Sequence, residues 1–430
     1  RCSRPAVAGQ TGQQPLTTGT KGTHHVKKKL LFLVHRLPYP PNKGDKIASF
    51  NLLRFLARRY EVYLGTFIDD PDDRQYLDKV REFCTELCAP EIEPTIARFA
   101  SLRGLFTGEA LSLPYLRNRV LDDWTTRVLE KHRPERIVVF SGPMAQYVSG
   151  RLPEGAISLF DMVDVDSEKW RSYGERKAWP MSWLYRREAD KLLAFERRMA
   201  TEFDSTVFVS REEAELFRRL APESAAKTTY RIQGVDSDFF DPAIDFENPY
   251  PDGAPALVFT GMMDYWPNVD AVSWFADHAF PRVRERIPSA LFCIVGMRPT
   301  PQVSKLAERP GIMVTGSVPD VRPYLAHAHA AVLPLRIARG IQNKLLEAMS
   351  MQRPVIATPG AMTGIQPFAG FEPTISEDAD TLVEAAVGLL SQTRTVEAAG
   401  RDCVLQRYNW DSNLQRIERL LESGQIEPDL

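Results

Sequence analysis

No run of apolar residues in this chain approaches the roughly 18–20 that a membrane-spanning helix needs, so no helical membrane span is expected. Cysteine is scarce. The five cysteines stand at 2, 84, 88, 293 and 403, with no metal-ligand spacing among them. Cys84 and Cys88 lie four apart in a predicted helix and would share one half-buried face. Such sparse usage suits a reducing cytoplasm. There is no excess of positive charge either: 54 Lys and Arg stand against 56 Asp and Glu, for a net charge of −2. That balance argues against a nucleic-acid binder. The seven histidines form no ligand set, and neither a metal nor a cofactor is expected. Residues 1–28 hold Gly, Thr and Gln without an apolar core. They are not a secretory signal and are expected to be disordered.

What is present is an α/β rhythm, repeated. A chain of 430 residues is long for one domain and natural for two. Lys29–Val34 is a continuous apolar run, as in a strand buried on both faces. A proline-rich loop, HRLPYPPNKGDK, leads to a helix at Ile47–Arg59, then a strand at Glu61–Phe67. Asp70–Leu87 and Pro114–His132 read as helices. Arg136–Phe140, Ala156–Phe160 and Ser205–Val209 read as further strands, and Glu168–Phe203 as a long helical region that Pro180 must break or kink. A stretch rich in Asp, Pro and Gly, 233–254, reads as a linker. The rhythm then resumes with strands at Ala256–Thr260, Ala290–Val295 and Ile312–Thr315.

One stretch, Val332 to Thr358, gathers the polar chemistry of the second half. It reads as a strand (His329–Leu335), a turn (Arg336–Gly340), a helix (Ile341–Met351) and a strand (Pro354–Thr358). This unit places its turn and helix N-terminus at the carboxyl edge of a parallel sheet, where open α/β folds bind ligands. Arg336, Arg339, Gly340, Lys344 and Glu347 suit a ligand with phosphates and hydroxyls. In the first half, Gly44 precedes a helix, where bare backbone N–H groups suit an anion. Asp161 and Asp164 cluster where a strand ends, and His35 closes the first strand. Between residues 169 and 198, Trp170, Trp179 and Trp183 lie among many cations. This is either a headgroup-facing surface or a helix whose tryptophans face the core.

Several fragments match one pattern. They are the strand and loop with Gly44; TVFVS before a helix; GVDSDFFDP; LVFTG before a helix; FCIVG; VTGSVPDV; and LLEAMSMQRPVIAT. In this order and spacing they resemble the retaining GT-B glycosyltransferases of family four, from about residue 29 to 424. HRLPYPPNKGDK, GTFIDDPDD and DMVDVDSEKW are more closely similar to the sugar transferases associated with PEP-CTERM/exosortase exopolysaccharide systems. The resemblance implies two Rossmann-like domains facing across a cleft. The first (29–232) would take the acceptor and the second (255–407) the nucleotide-sugar donor. A final helix (408–424) would cross back onto the first domain.

It also implies roles. Glu347 would hold the donor ribose. Gly44, with Lys46 near it, would approach the donor phosphates, Val318 the base, and Gly261 and Gly340 the donor more generally. His35 and Asp45 would lie on the acceptor side, with Asp161 and Asp164 as catalytic candidates. Two positions depart from the family pattern. Arg339 stands where a second glutamate is usual, and GMMDYWPN replaces the usual basic pair after the first strand of the second domain. Arg336, Arg339 and Lys344 are expected to supply that positive charge, with Arg339 and Lys344 assisting catalysis.

The expected activity is metal-independent glycosyl transfer with retention. The donor would be a nucleotide-diphosphate sugar, the acceptor a glycan or lipid-linked sugar, and the setting exopolysaccharide or cell-surface glycan synthesis. The expected location is the cytoplasm, at the inner face of its membrane if the 169–198 surface binds there. The alternatives are a nucleotide-sugar 2-epimerase of the same fold and a catalytically silent scaffold.

Overall fold

The computed structural model describes residues 27–426 apart from 42, 176 and 339. Seven strands form a first sheet: β1 (Lys29–Val34), β2 (Glu61–Gly65), β3 (Glu86–Cys88), β4 (Arg136–Phe140), β5 (Ile157–Val163), β6 (Ser205–Phe208) and β7 (Thr228–Tyr230). Six more form a second: β8 (Ala256–Thr260), β9 (Leu291–Val295), β10 (Ile312–Val314), β11 (Ala330–Leu333), β12 (Val355–Ala357) and β13 (Thr374–Ile375). Their orders are β3-β2-β1-β4-β5-β6-β7 and β10-β9-β8-β11-β12-β13, parallel throughout. The winding reverses between β1 and β4 in the first sheet and between β8 and β11 in the second. Ligands bind beyond the strand carboxyl ends at such switch points.

The strands form because their residues are apolar on both sides. Along β1, Leu31 and Leu33 enter one core layer while Leu30, Phe32 and Val34 enter the opposite one. The helices cover these faces. Helix α1 (Gly44–Arg59) follows β1 and buries Leu52, Leu53 and Leu56. Two short helices, α2 (Pro94–Ser101) and α3 (Arg103–Thr107), lie between β3 and β4. Helices α4 (Asp166–Glu175) and α5 (Met181–Glu202) follow β5, with Leu192, Phe195 and Met199 of α5 in the core. In the second domain, α6 (Trp266–His278) follows β8 and α7 (Asn343–Ser350) follows β11. The last helix, α8 (Trp410–Ser423), packs on the first sheet through Trp410, Leu414, Ile417 and Leu420. Polar contacts to that domain add to this packing: Arg59 to Glu418 at 2.8 Å and Tyr60 Oη to Glu422 at 2.7 Å.

Two chain segments pass between the domains side by side. Val235 bridges Asn409, its N–H donating to the Tyr408 carbonyl at 2.9 Å. Gly234 is needed there, since a Cβ would stand 2.9 Å from the Trp410 ring. Beyond this crossing the segment leans on the second domain. Phe240 and Tyr250 join its core, and Arg401 donates to the carbonyls of Phe240 and Ser350 at 2.9 Å each.

Two helix expectations change, and a third is borne out. The helix expected over Asp70–Leu87 ends at Arg81, and the chain then pairs with β2 as β3. Cys84 and Cys88 therefore share no helix face. The helix expected over Pro114–His132 is broken, because Asn118 caps a new start through the N–H groups of Val120 and Leu121. The region expected over Glu168–Phe203 is broken at Pro180, as its sequence required: α4 ends at Glu175 and α5 begins at Met181, the two packed side by side.

Candidate functional site

The second domain's switch point is built around Gly261, which ends β8 with φ of 153°. A Cβ there would lie 2.8 Å from Asn268 Nδ2 and 3.2 Å from Lys344 Cε, so only glycine lets both side chains close in. Lys344 Nζ donates to Asn268 Oδ1 at 3.1 Å and stands 5.5 Å over the Phe259 ring. Burial pushes its ammonium down to about 8, against the opposing pull of Glu347. Glu347 is on the same face of α7, one turn on. Burial pushes its carboxyl up to about 7, and Lys344 only partly offsets this. Both side chains are half-buried. Among the described residues, no side chain or backbone N–H donates to the Glu347 carboxylate. A carboxylate held against its own desolvation, without a donor among the described residues, suits an incoming pair of hydroxyls.

The N-terminus of α7 meets that of α1. Gly44 opens α1, and a Cβ there would lie 3.7 Å from Asn343 Nδ2 at the start of α7. Gln233 also reaches Asn343 Oδ1, at 2.9 Å. The N-cap residues Lys43 and Gln342 give neither helix a side-chain cap. Two helix N-termini without an N-cap side chain therefore converge between the domains, each carrying partial positive charge. Asp45, beside Gly44, accepts from His35 Nε2 at 3.1 Å and is ion-paired with Arg36 Nη1 at 3.1 Å. Burial pushes the Asp45 carboxyl up. The His35 hydrogen bond and the charges of His35 and Arg36 outweigh this and hold it well below the usual carboxylate range. The His35 ring lies parallel to Phe140, and its Nδ1 is buried with no hydrogen-bond partner among the described residues. When the ring is neutral with its proton on Nε2, facing Asp45, Nδ1 is an acceptor.

Other expected site residues are placed elsewhere or already engaged. Lys46 is 1% exposed and paired with Asp73, so its ammonium faces the interior of the first domain. Asp161 is fully buried, bonded to Arg231 Nε at 2.7 Å and to the Val163 N–H at 3.1 Å. This closed pair offers no carboxylate to an acceptor. Asp164 and Asp166 share Lys169, at 3.5 and 2.9 Å. Arg336 is held by Asp270 of α6 at 3.1 and 2.5 Å, so its charge is largely matched. Val318 packs on the core of the second domain. Gly340 has φ of 61°, a left-handed turn. Arg339 lies outside the described residues. Sequence reading missed Asn268, Asn343 and Gln233. A polar residue at the start of a helix carries no sign of what it will face across a cleft. No group of three or more His, Cys, Asp or Glu side chains that could hold a metal occurs among the described residues.

Two parallel Rossmann-like domains, a paired crossing between them and a final helix returning to the first define the GT-B architecture. The comparisons agree. The Anabaena protein Alr3699/HepE, in complex with UDP and glucose, superposes with a TM-score of 0.60 at 14% identity, over 92% of this chain and 100% of that one. Sucrose-phosphate synthase from Thermosynechococcus elongatus gives 0.65 at 16%, over 92% and 98%. A mutant of S. aureus TarM, in complex with Fondaparinux, alpha-GlcNAc-glycerol and UDP, gives 0.60 at 10%, over 92% and 100%. Residues 254–392 match the family model described as Glycosyl transferases group 1, a stretch that holds Gly261, Lys344 and Glu347. A search of curated proteins finds no match.

Proposed function

We propose that this chain transfers a sugar from a nucleotide-diphosphate donor to a hydroxyl acceptor, with retention at the anomeric carbon and without a metal ion. The observation that carries the reading is Glu347. Its carboxylate is half-buried at the switch point of the second domain, without a described donor, one helical turn from Lys344. Two ribose hydroxyls would satisfy it. The diphosphate would then lie by Lys344 and the facing N-termini of α1 and α7. As the bond from the anomeric carbon to the phosphate oxygen breaks, its electron pair leaves with the diphosphate. Lys344 and the helix N-termini would stabilise that charge. This is why no metal is needed in the proposal. Arg336, tied to Asp270, contributes less than its sequence position suggested.

The acceptor hydroxyl would approach from the first domain, its oxygen bonding to the anomeric carbon on the same face that the diphosphate leaves, which gives retention, and its proton passing to Nδ1 of a neutral His35 ring that Asp45 orients. UDP and UDP-glucose in complexes of the Anabaena neighbour support starting with UDP-sugars. The motif likeness to exopolysaccharide transferases supports a cell-surface glycan as acceptor. A thermal-shift panel of nucleoside diphosphates and nucleotide sugars tests the reading. Stabilisation by at least one nucleoside diphosphate is expected, and none by any member of the panel would overturn it. Donor consumed only when an acceptor is present would separate transfer from epimerisation.

A further inference from the structure

Helices α2 and α3 are sided the wrong way for water. Leu102 between them has helical dihedrals of −61° and −22°, so 94–107 runs as one interrupted helix. Its small residues Ala97 and Gly104 face the protein. Its large apolar residues Ile96, Phe99, Leu102, Leu105 and Phe106 face outward, with Phe99 74% and Phe106 91% exposed. A helix on a protein surface ordinarily shows the reverse. Gly104 allows the close seating: a Cβ there would meet Leu111 Cδ2 at 3.1 Å and the Glu109 carbonyl at 3.2 Å. Helix α5 holds the element in place. Arg187 donates to the carbonyls of Gly104 and Glu109 at 2.5 and 3.2 Å. Glu188 accepts from the N–H groups of Leu111 and Ser112 at 2.5 and 3.0 Å. The outward face is therefore not a fraying end but an anchored one.

The same surface continues onto the turn between α4 and α5. Trp183 lies one turn before Arg187, on the side of α5 that holds α3, and Trp183, Trp179 and Met181 are all exposed. Around these apolar groups stand Arg98, Arg103, Lys177, Arg186 and Lys191, all exposed and none in an ion pair with a described residue. Neighbouring cations are different. Arg171 is paired with Glu168 and Asp190, and Arg197 with Glu223. Trp170 is half-buried against the core. The surface expected at 169–198 thus narrows to its turn and first helical residues, and gains an element that sequence reading left unassigned.

We propose that α2, α3 and the α4–α5 turn form a membrane-docking face. It would insert Phe99, Phe106, Trp179 and Trp183 among the headgroups of an anionic bilayer, with Arg98, Arg103, Lys177 and Arg186 on the phosphates. Charge decides for a bilayer over a protein partner: the centre of a protein interface is depleted of unpaired charge, whereas cations among aromatics match an anionic headgroup layer. The large side chains also stand clear of the surface, which suits shallow insertion. The proposal does not depend on the transfer reaction, because every residue named lies outside the site described above.

The test is flotation of the full chain with vesicles of phosphatidylcholine alone or mixed with phosphatidylglycerol. Binding to the anionic vesicles only is expected, and it should weaken as salt screens the cations. Phe99→Ser with Phe106→Ser should lower partitioning by about tenfold or more, since two large apolar groups leave the interface. Trp179→Ser with Trp183→Ser should act in the same direction and gives a second reading if the first pair disturbs α2. Unchanged thermal unfolding and nucleoside-diphosphate binding would show that each variant is intact. No binding of the native chain to anionic vesicles would overturn the proposal. So would full binding by both folded variants, or a native dimer in light scattering that Phe106→Ser converts to monomer.

Discussion

Replacing Glu347 by Gln should weaken nucleotide binding and strengthen the fold at once. The amide keeps one acceptor oxygen and loses the charge. One charge-assisted hydrogen bond to a ribose hydroxyl is worth about 1.5–3 kcal/mol, so affinity for a nucleoside diphosphate should fall roughly 10- to 100-fold. The fold responds in the opposite sense. Glu347 moves from 4.5 in the open chain to about 7 in the folded one. A carboxylate whose folded value is raised destabilises the fold once it is ionised, and that penalty is complete above about pH 7. The interval corresponds to roughly 3 kcal/mol. Partial exposure to solvent and the lost attraction to Lys344 reduce the expected gain to about 1 kcal/mol. Native protein should therefore lose stability between about pH 4.5 and 7 relative to Glu347→Gln, and the two should converge below that window. Calorimetric binding with UDP and thermal unfolding at pH 5 and 7.5 measure both halves. Unchanged affinity would refute the ribose role. A variant less stable than native at pH 7.5 would refute the claim that burial of this carboxylate outweighs its attraction to Lys344.

The pH profile of nucleoside-diphosphate binding should peak between about 7 and 8, because Glu347 is lost as a carboxylate below that range and Lys344 as an ammonium above it; titration calorimetry from pH 6 to 9.5 would show a flat profile if neither touches the ligand. Gly261→Ala should reduce turnover by an order of magnitude or more, since its methyl would press on Asn268 and Lys344, and steady-state rates equal to the native would contradict that packing. Lys46→Met strands Asp73 and should cost about 3–5 kcal/mol of stability, while the folded fraction keeps its donor affinity; a weaker affinity with unchanged denaturant midpoint would return Lys46 to the site. Arg298 of the second domain holds Asp70 of the first at 2.8 Å, so Asp70→Asn should loosen the contact between the domains and raise the small-angle scattering radius, and no change in radius would show that this pair does not hold the domains.

Much of the architecture was legible because the strands are buried on both faces and spell continuous apolar runs, as in KLLFLV and RIVVF. The strands that were missed, Glu86–Cys88 and Thr228–Tyr230, are three residues long and sit at sheet edges; the first is only half-buried, and the second buries threonines, so neither spells an apolar run. The order of chemistry-bearing residues along Val332 to Thr358 was also legible. Their partners were not. Whether a charge faces a ligand or a neighbour depends on residues far off in the chain: Asp73 for Lys46, Arg231 for Asp161, Asp270 for Arg336. The outward-facing helix 94–107 escaped notice for a different reason. Its apolar spacing is that of an ordinary core-facing helix, and only the fold reveals which side is turned to solvent.

The central claim is that Glu347 and Lys344 receive a nucleoside diphosphate between two helix N-termini. A crystal structure of the chain with UDP tests it most directly. The account predicts ribose hydroxyls on the Glu347 carboxylate and the diphosphate beside Lys344, between the first turns of α1 and α7. A nucleotide bound elsewhere, or one bound there with Glu347 turned away from the ribose, would contradict it.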